Sequence, residues 1–292
     1  MAFITVFTPT FNRAHTLFRT YESLLAQNNK DFIWLIIDDG SSDGTNEMVE
    51  KWKARDNGFE IRYIYKENGG MHTAHNTAYK LIDTELNVCI DSDDKLSKDA
   101  IQKIFEKWQA IDQCAFAGIV GLDADFSGNI IGNDFGKLEQ TTLTDYYANG
   151  GKGDKKLVYR TDIINSVPEY PVFDNEKYVA LAYKYRLIDQ KYKLAVLNEV
   201  LCDVEYQPNG ATNTMWKQYY KNPKGFAFWR KLCIETPTSK KRLFIDCCHY
   251  VSSCLLSKSK GIVSSSPARL YTFLAFPFGI ALALLTRIKA TR

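Results

Sequence analysis

Residues 32–45 read FIWLIIDDGSSDGT, and this stretch decides the fold. Six apolar residues followed at once by two aspartates and a glycine-rich turn are typical of a buried strand that ends at an open edge. A turn with an N-cap supplied by Asp43 or Thr45 explains one acidic side chain. The second acid is then spare, and we expect Asp39 to point into a crevice and accept hydrogen bonds from a bound molecule.

The same pattern repeats on both sides of this stretch. Segments with helical periodicity separate the apolar runs, and the spacing of 25 to 30 residues is the length of one strand and one helix. The runs begin near Phe3, Phe32, Ile61, Leu86 and Phe116, and the helices are predicted over Thr16–Gln27, Thr45–Arg55, His75–Ile82 and Ser97–Gln113. Such alternation predicts an α/β fold, with a mainly parallel sheet flanked by helices and ligands bound at the carboxyl ends of its strands.

The pattern becomes irregular after the fifth run. Glycines recur between Gly118 and Tyr159, which predicts hairpins and a mobile loop at 149–155. A helix over Asn175–Ile188 and a strand over Lys193–Tyr206 are expected to close the compact part of the chain. We therefore place a domain boundary at 206/207.

Charge divides the chain at nearly the same point. The last 87 residues carry 14 lysines and arginines against two acids, a net charge of +12, whereas the first 205 residues carry −9. The tail is rich in Trp and Tyr. The run Leu270–Thr286 is apolar and uncharged, and it contains the helix breaker Pro277. Basic residues flank this run: Arg269, Arg287, Lys289 and Arg292. We expect region 207–292 to be helical and to lie on an anionic membrane surface rather than bind nucleic acid; the alternative is a helix buried in the core or in a dimer.

A second acidic motif, LNVCIDSDD at 86–94, again follows a buried strand. Asp91 and Asp93 are separated by one residue and stand at the exposed end of that strand. Oxygen ligands suit Mg²⁺ or Mn²⁺, and such an ion can bridge the protein to the phosphates of a nucleotide. The alternative is that Asp93 or Asp94 caps the helix expected near Ser97.

Four motifs in correct order and spacing resemble the family 2 glycosyltransferases of the GT-A fold. They are TVFTPTFNRAHTL at 5–17, IIDDGSSDGT at 36–45, ENGGMHTAHNTA at 67–78 and DSDD at 91–94. The resemblance covers about residues 1–125. It implies a nucleotide-sugar-binding half over 1–125 and an acceptor-side half over 126–206, which together form a catalytic domain.

The resemblance also implies roles for single residues. In this family a Thr-Pro turn and the segment after it border the nucleotide, the second aspartate of the DDGS motif contacts the base, and the DxD motif holds ribose and metal. The implied donor-binding residues are Thr8, Pro9, Asn12, Arg13, Asp39, Asn68, Gly70, His75, Asn76, Asp91, Ser92 and Asp93. Asp93 would bind the metal directly, with help from Asp91. Many relatives have Ala-Arg-Asn where this chain has Ala-His-Asn, so His75 departs from the pattern. The alternative for His75 is a solvated residue in the first turn of a helix.

Inverting transfer requires a base that takes the proton of the acceptor hydroxyl. The family supplies this base from an acidic motif that follows the DxD motif by 80 to 100 residues. Here the matching segment is FDNEKY at 173–178, which has Glu-Lys where many relatives have Glu-Asp. Glu176 is the first candidate for the base and Asp174 the second. The alternative is that both residues stabilise the start of the predicted helix.

The resemblance therefore implies an inverting, metal-dependent transferase. The expected donor is a UDP-sugar, the cofactor Mn²⁺ or Mg²⁺, and the acceptor a saccharide that is free or lipid-linked. The expected location is the cytoplasmic face of a bacterial inner membrane, with peripheral or monotopic attachment. Two alternatives remain: a catalytically inactive glycan-binding scaffold and a nucleotidyltransferase. The latter usually has a glycine-rich loop near its N-terminus, and residues 1–15 contain no glycine.

Overall fold

The computed structural model describes residues 2–205 and 214–291. The predicted strand end at Tyr206, the predicted boundary at 206/207 and the basic residue Arg292 lie outside these residues. The chain divides into two compact units. Unit 1 comprises Met1–Glu169 and Lys184–Glu205, and unit 2 comprises Tyr170–Tyr183 and Tyr206–Arg292. The segment Tyr170–Tyr183, which holds both candidates for the base, thus belongs to the same unit as the basic tail.

The elements follow one another largely as strand and helix in alternation. The strands are β1 (Ile4–Thr10), β2 (Phe32–Asp38), β3 (Glu60–Tyr65), β4 (Leu86–Cys89), β5 (Lys95–Leu96), β6 (Phe116–Asp125), β7 (Gln140–Thr141), β8 (Lys155–Arg160) and β9 (Lys193–Val204). The helices are α1 (Ala14–Leu25), α2 (Thr45–Lys53), α3 (Met71–Leu81), α4 (Ala100–Gln109), α5 (Leu143–Ala148), α6 (Thr161–Asn165), α7 (Ala182–Ile188), α8 (Met215–Lys221), α9 (Pro223–Glu235), α10 (Lys240–Leu256) and α11 (Arg269–Ala290).

Unit 1 is built on one sheet with the strand order β3-β2-β1-β4-β8-β6-β9-β5, and β7 pairs with β9. The pairs β1–β2, β1–β4, β2–β3 and β6–β9 are parallel, whereas β8 runs antiparallel to both of its neighbours, β4 and β6. The prediction of a mainly parallel sheet flanked by helices is confirmed. The carboxyl ends of β1, β2, β3, β4 and β6 consequently meet at one edge of the sheet.

The central strands form where the sequence is apolar without interruption. Every residue of β1 and of β2 is buried, as expected for strands covered by helices on both faces. Trp34 of β2 stacks with Tyr21 of α1 and Trp52 of α2, with ring centroids 6.0 and 5.8 Å away. The indole N–H of Trp34 donates to the hydroxyl of Thr8 at 3.0 Å, so the polar atom of this buried side chain is paired.

The helices α3 and α4 begin several residues away from their predicted starts. α3 begins at Met71, directly after Gly70, and not at His75, because its first turn is polar and gives no apolar period. α4 begins at Ala100 rather than Ser97, because residues 95–96 first pair with β9 as the short strand β5. Neither Asp93 nor Asp94 caps α4, whose N-cap residue is Asp99. The capping alternative for the DSDD motif is therefore wrong.

The predicted helix over Asn175–Ile188 is wrong in its first half. Only Ala182–Ile188 is helical, and the segment before it is irregular. Asn175 has a positive φ of 64°, which a helix does not allow. The side chain of Glu176 and the backbone of Lys177 instead bond to the start of α9. Contacts with a distant helix, which local pattern does not encode, thus set the conformation here.

Unit 2 contains the four helices α8 to α11. α10 packs against α9 and α11, and the residues of its second half are buried or partly buried. α11 contacts α10 through a stripe of small residues, where a Cβ on Gly279 would lie 2.4 Å from the side chain of Val251. The stripe consists of Thr272, Ala275, Gly279, Ala283 and Thr286. Within the described residues, α11 is the one helix long and apolar enough to cross a membrane.

Candidate active site

The predicted donor residues of unit 1 gather at the edge where β1, β2 and β4 end. Thr8 and Pro9 lie inside β1 and do not form the expected turn. β4 ends opposite Phe7, so Pro9 lies beyond the part of β1 that pairs with β4. Because Pro9 has no N–H, a position inside that ladder would lose a hydrogen bond, whereas here none is lost and β1 extends to Thr10. Both residues are buried, and the hydroxyl of Thr8 faces Trp34 in the interior.

The loop after β1 is fastened to the loop after β2. Asn12 adopts the left-handed conformation with φ 53°, its side-chain oxygen accepts from the N–H of Ser42, and its own N–H donates to the hydroxyl of Ser41, both at 2.8 Å. Asp43 accepts from the N–H of Ala14 at 2.9 Å and from the hydroxyl of Thr45 at 2.6 Å. Asp43 is therefore a link between two loops, and the N-cap position of α2 is Gly44.

Asp39 organises the glycine-rich loop at 66–70. One carboxylate oxygen accepts from the ammonium of Lys66 and from the N–H of Gly69 at 2.9 Å, and the other accepts from the N–H of Gly70 at 2.7 Å. The amide of Asn68 donates to the backbone carbonyl of Asp39 at 2.7 Å. The side chain of Asp39 is only 6% exposed. Asp39, Asn68 and Gly70 are thus brought together as one preformed unit.

Glycine is required at position 40 beside this loop. Gly40 has φ 91°, and a Cβ there would lie 2.9 Å from the backbone nitrogen of Asn68. The neighbouring Asp38 has a different task from Asp39. It accepts from the N–H of Ser41 at 2.7 Å and from the phenol of Tyr63 at 2.6 Å. The first aspartate of the pair therefore shapes the turn, and the second holds the loop.

His75 lies in the interior on α3. Its ring contacts Phe7 edge-on, with centroids 5.0 Å apart, and its nitrogens lie 3.3 Å from the hydroxyl of Tyr79 and 3.7 Å from the sulfur of Cys89. Burial lowers the pKa of His75 to about 3, so the ring is neutral. The solvated alternative is wrong, and in this conformation the ring faces protein. Asn76, next along α3, is 8% exposed.

The sequence reasoning missed two cationic or titratable groups at this edge. Lys66 bonds to Asp39 and to the hydroxyl of Thr73, which lies on α3. His72 is 1% exposed, and neither of its ring nitrogens has a hydrogen-bond partner within the described residues. Burial lowers the pKa of His72 to about 4. The available sequence signal for His72 was its position between the glycines at 69–70 and the predicted helix that begins at His75.

The DSDD motif forms a tight turn after β4. The N–H of Asp94 donates to the carbonyl of Asp91 at 3.1 Å, and the hydroxyl of Thr20 donates to the carbonyl of Asp94 at 2.9 Å. The side chain of Asp91 is exposed, that of Asp93 is half-buried, and those of Ser92 and Asp94 are buried. Both residues that were predicted to bind metal therefore remain open to the crevice.

The carboxylates of this turn repel one another. Burial, followed by the charge of Asp91, raises the pKa of Asp93, and the guanidinium of Arg13 opposes the rise. Partial desolvation also raises the pKa of Asp91, against the charges of Lys156 and Arg13. Burial raises the pKa of Asp94 to about 8. Arg13, a predicted donor residue, thus lies close enough to act on both Asp91 and Asp93.

A lysine and an aspartate from later in the chain join this turn. Lys156 of β8 lies with its ammonium 3.9 Å from the carboxylate of Asp123 of β6 and 3.5 Å from the carbonyl of Cys89. The side chains are 10% and 3% exposed. Neither residue belongs to a local sequence motif, so only the fold brings them to this turn.

The residues at the turn fit a hard divalent cation in part. The structure describes no side-chain hydrogen bond to the carboxylate of Asp91 or Asp93 from another residue, and oxygen is the ligand type that Mg²⁺ and Mn²⁺ prefer. Within the described residues no group of three or more His, Cys, Asp or Glu side chains could hold a metal. Asp91 and Asp93 would therefore need oxygens from a ligand to complete the coordination.

Glu176 and Asp174 lie in unit 2. The two carboxylate oxygens of Glu176 accept from the N–H groups of Lys224 and Gly225, both at 2.9 Å, in the first turn of α9. Glu176 therefore caps α9 and not the helix that was expected to follow it in sequence. Asp174 is exposed. The cap shows that the acid at 176 has a structural function in this unit.

Comparison with known proteins decides what this edge belongs to. The pattern described as glycosyl transferase family 2 matches residues 5–162, more than half of the chain. The chain belongs to this family. The family 2 resemblance seen in the four motifs is thereby confirmed.

Relatives of this chain include several bacterial proteins. Chondroitin synthase of Escherichia coli is 30% identical over 132 residues, which are 45% of this chain and 19% of that protein. Three further relatives are the glycosyltransferase GlyA of Streptococcus pneumoniae, the putative teichuronic acid biosynthesis glycosyltransferase TuaG of Bacillus subtilis and a glycosyltransferase of Rickettsia felis. The aligned segments cover 26%, 44% and 16% of these proteins, so the chain spans less than half of their length.

Solved structures share the fold. TarS 1–349 of S. aureus in complex with UDP-GlcNAc superposes with a TM-score of 0.62 at 15% identity and covers 98% of this chain and 90% of that one. The mannosyltransferase PcManGT of Pyrobaculum calidifontis, in complex with GDP-Man and Mn²⁺, gives a TM-score of 0.59 at 15% identity and covers 99% and 83%. At such identities the likeness shows that this chain shares their fold.

Proposed function

We propose that the protein is an inverting, metal-dependent glycosyltransferase that moves a sugar from a UDP-sugar to a saccharide acceptor in cell-surface polysaccharide synthesis. The observation behind this proposal is the placement of Asp39 and of the pair Asp91 and Asp93 at the ends of β2 and β4. These strands flank β1 on its two sides, so both acidic groups border one crevice. The UDP-GlcNAc in the TarS complex supports a UDP-sugar as donor.

The metal would be held by Asp93, with Asp91 beside it. When bound, the ion supplies positive charge against the diphosphate that leaves. The Mn²⁺ in the mannosyltransferase of the same fold supports this assignment. The residues of this chain then have three tasks: Asp39 and its loop orient the nucleotide, Arg13 adds a positive charge beside Asp91 and Asp93, and the buried turn keeps the carboxylates fixed.

The base that takes the acceptor proton would come from the segment at 173–178. Glu176 remains the first candidate and Asp174 the second. Both carboxylate oxygens of Glu176 accept backbone hydrogen bonds, so a base at this position must release this cap or share it. Asp174 is exposed and has no such restraint. The variants Glu176→Gln and Asp174→Asn distinguish the two candidates for the base.

The acceptor side of the proposal concerns the membrane. Outside its small-residue stripe, α11 exposes a continuous apolar face, with Leu270, Phe273 and Phe278 at 68%, 65% and 59% exposure. Arg269 precedes this face, and Arg287 and Lys289 lie in its last turn. Such a face with basic ends fits an anionic lipid surface, where each basic residue contributes about 1 kcal/mol. A lipid-linked acceptor would be held at the same surface.

The packing of α11 favours an in-plane position over a crossing one. α10 lies along α11 and contains Asp246, which pairs with Arg230 of α9 at 2.5 Å and with Arg242 at 3.1 Å. If α11 crossed the bilayer, this ion cluster and the lysines at the start of α10 would be drawn towards hydrocarbon, which is costly. We therefore propose peripheral or monotopic attachment at the cytoplasmic face.

The donor and metal are tested by a thermal-shift screen of nucleotide sugars with and without Mn²⁺, followed by a transfer assay. Stabilisation by UDP or a UDP-sugar that requires Mn²⁺ supports the proposal. Stabilisation by another nucleotide overturns the choice of UDP. Binding without transfer or donor hydrolysis, on every acceptor tried, favours the inactive scaffold instead.

Membrane attachment is tested by flotation of the full chain with anionic and with neutral vesicles. The variant F273S/F278S should lose flotation on anionic vesicles, because it places two polar groups in the apolar face. Val172→Ser is the matched control, since Val172 is also 68% exposed in unit 2 but lies outside α11. If both variants float as the parent does, or the parent never floats, the attachment is wrong.

A further inference from the structure

Lys156 occupies an unusual position for a charged side chain. It projects from β8, which lies between β4 and β6, and its partner in the β6 ladder is Gly121. Its side chain is only 10% exposed, and its ammonium lies 3.5 Å from the carbonyl of Cys89, just before the DSDD turn, and 3.9 Å from Asp123. A buried ammonium is retained only when neighbouring negative charges compensate its loss of water.

The compensating charges come from several carboxylates at once. Burial alone would lower the pKa of Lys156, but Asp123, Asp94 and Asp91 raise it well above its usual value. The pairing with Asp123 is loose, because the facing oxygen of Asp123 accepts no hydrogen bond within the described residues. The positive charge is therefore shared between Asp123 and the aspartate turn that carries the proposed metal ligands.

We propose that Lys156 is the internal counter-cation of the Asp91–Asp94 turn and that its charge weakens the binding of a divalent metal in the absence of a nucleotide diphosphate. Two carboxylates beside a fixed positive charge attract a free divalent ion weakly. A nucleotide diphosphate adds both negative charge and the oxygen ligands that the protein lacks. The inference rests on the proposed metal site, and it assigns Lys156 a positioning role.

Lys155 provides a matched control on the same strand. Adjacent residues of a strand point to opposite faces. The ammonium of Lys155 donates to the carbonyls of Ile131, Lys152 and Asp154, each at 3.0 Å, and lies over the rings of Phe135 and Tyr146. Removal of either lysine deletes one positive charge from β8, but only Lys156 contacts the β4 end that leads into the aspartate turn.

The test is a titration of the full chain with Mn²⁺, first without nucleotide and then with UDP. The electron paramagnetic resonance signal of free Mn²⁺ measures how much of the ion is bound. The parent should bind Mn²⁺ weakly alone and tightly with UDP. Lys156→Met should bind Mn²⁺ alone at least about tenfold more tightly than the parent, because the opposing charge is gone. Lys155→Met should behave as the parent does, and Lys156→Arg, which keeps the charge, should remain weak.

A second variant covers the case in which Lys156→Met fails to fold. Asp123→Asn is nearly isosteric and leaves Lys156 with the aspartate turn as its main negative neighbour. Binding of Mn²⁺ with UDP should then weaken several-fold, the opposite sign to Lys156→Met. An unchanged affinity in Asp123→Asn overturns the inference.

The outcomes separate this inference from the proposed function. If the parent binds no Mn²⁺ even with UDP, the proposed metal dependence itself is wrong. If the parent binds Mn²⁺ tightly without nucleotide, or if Lys156→Met folds and shows no gain, the metal site stands and the role of Lys156 is wrong.

Discussion

The edge of the sheet contains two acidic regions that are built in opposite ways. At the end of β2, the carboxylate of Asp39 is saturated by the ammonium of Lys66 and two backbone N–H groups. At the end of β4, Asp91 and Asp93 face the crevice and repel each other. In the first region the carboxylate holds a loop in shape, and in the second the carboxylates are open to a proposed cation. The difference shows that one motif type can serve shape or charge, according to the donors around it.

The largest effect is expected at the open region. Asp93→Ala should lower transfer by about a thousandfold or more, because the metal loses its direct ligand and with it several kcal/mol of charge stabilisation. Its free energy of unfolding should stay within about 0.5 kcal/mol of the parent or rise, since a repelling carboxylate is removed. Initial rates with a UDP-sugar and urea denaturation measure the two quantities. Asp99→Ala, an acid six residues later whose side chain is 44% exposed, is the control. A stable, fully active Asp93→Ala protein would remove Asp93 from the site.

The next effect concerns the two acids of unit 2. If Glu176 is the base, Glu176→Gln should reduce transfer about a hundredfold and leave donor affinity unchanged. It should also lower the free energy of unfolding by about 1 kcal/mol, because the amide group of Gln cannot accept from the second N–H of α9. Asp174→Asn should then have little effect on either quantity. A loss of stability in Glu176→Gln together with a loss of transfer in Asp174→Asn assigns the cap to one residue and the base to the other.

A smaller effect on rate, with a larger effect on stability, is expected at the saturated region. Asp39→Asn should lower the free energy of unfolding by about 1–3 kcal/mol, because the buried donors of Lys66, Gly69 and Gly70 lose charged acceptors. Donor affinity should fall about tenfold as the loop loosens. Calorimetry with UDP and urea denaturation measure both changes. The contrast between the two acidic regions fails if Asp39→Asn is as stable as the parent.

The smallest expected effect is a pH dependence of stability that arises from His72 and His75 of α3. Burial depresses the pKa of His72 to about 4 and that of His75 to about 3, while both titrate near 6.5 in the unfolded chain. The unfolded state therefore binds more protons, and stability should fall as the pH drops from about 6.5 to about 4. The charged neighbours are Asp39 and Lys66 for His72, and Lys184 for His75. In urea denaturation, His75→Gln should reduce this slope by up to about 1.4 kcal/mol per pH unit. The exposed control His15→Gln should leave it unchanged.

Prediction from the sequence succeeded where a feature is written in adjacent residues. The runs FIWLII and LNVCI predicted buried strands, and the acids after them lie where these strands end, as predicted, because strand and turn signals are local. It failed where a distant contact decides the conformation. The start of α7 was misplaced because Glu176 bonds to α9, nearly fifty residues later. The packing of α3 on β1 likewise turns the ring of His75 towards Phe7, which the sequence did not predict, and its role at the donor site stays a prediction.

The sequence by itself determined the α/β order, the family and the two acidic motifs, because each is a contiguous pattern of apolar and polar residues. Only the tertiary structure decided how the charges at the site are balanced. β8 enters the sheet antiparallel between β4 and β6, and this one topological step brings Lys156 to the DSDD turn and to Asp123. More than sixty residues separate Lys156 from that turn, and no local period records the pairing. Coulomb energy depends on distance in space, and the fold sets that distance.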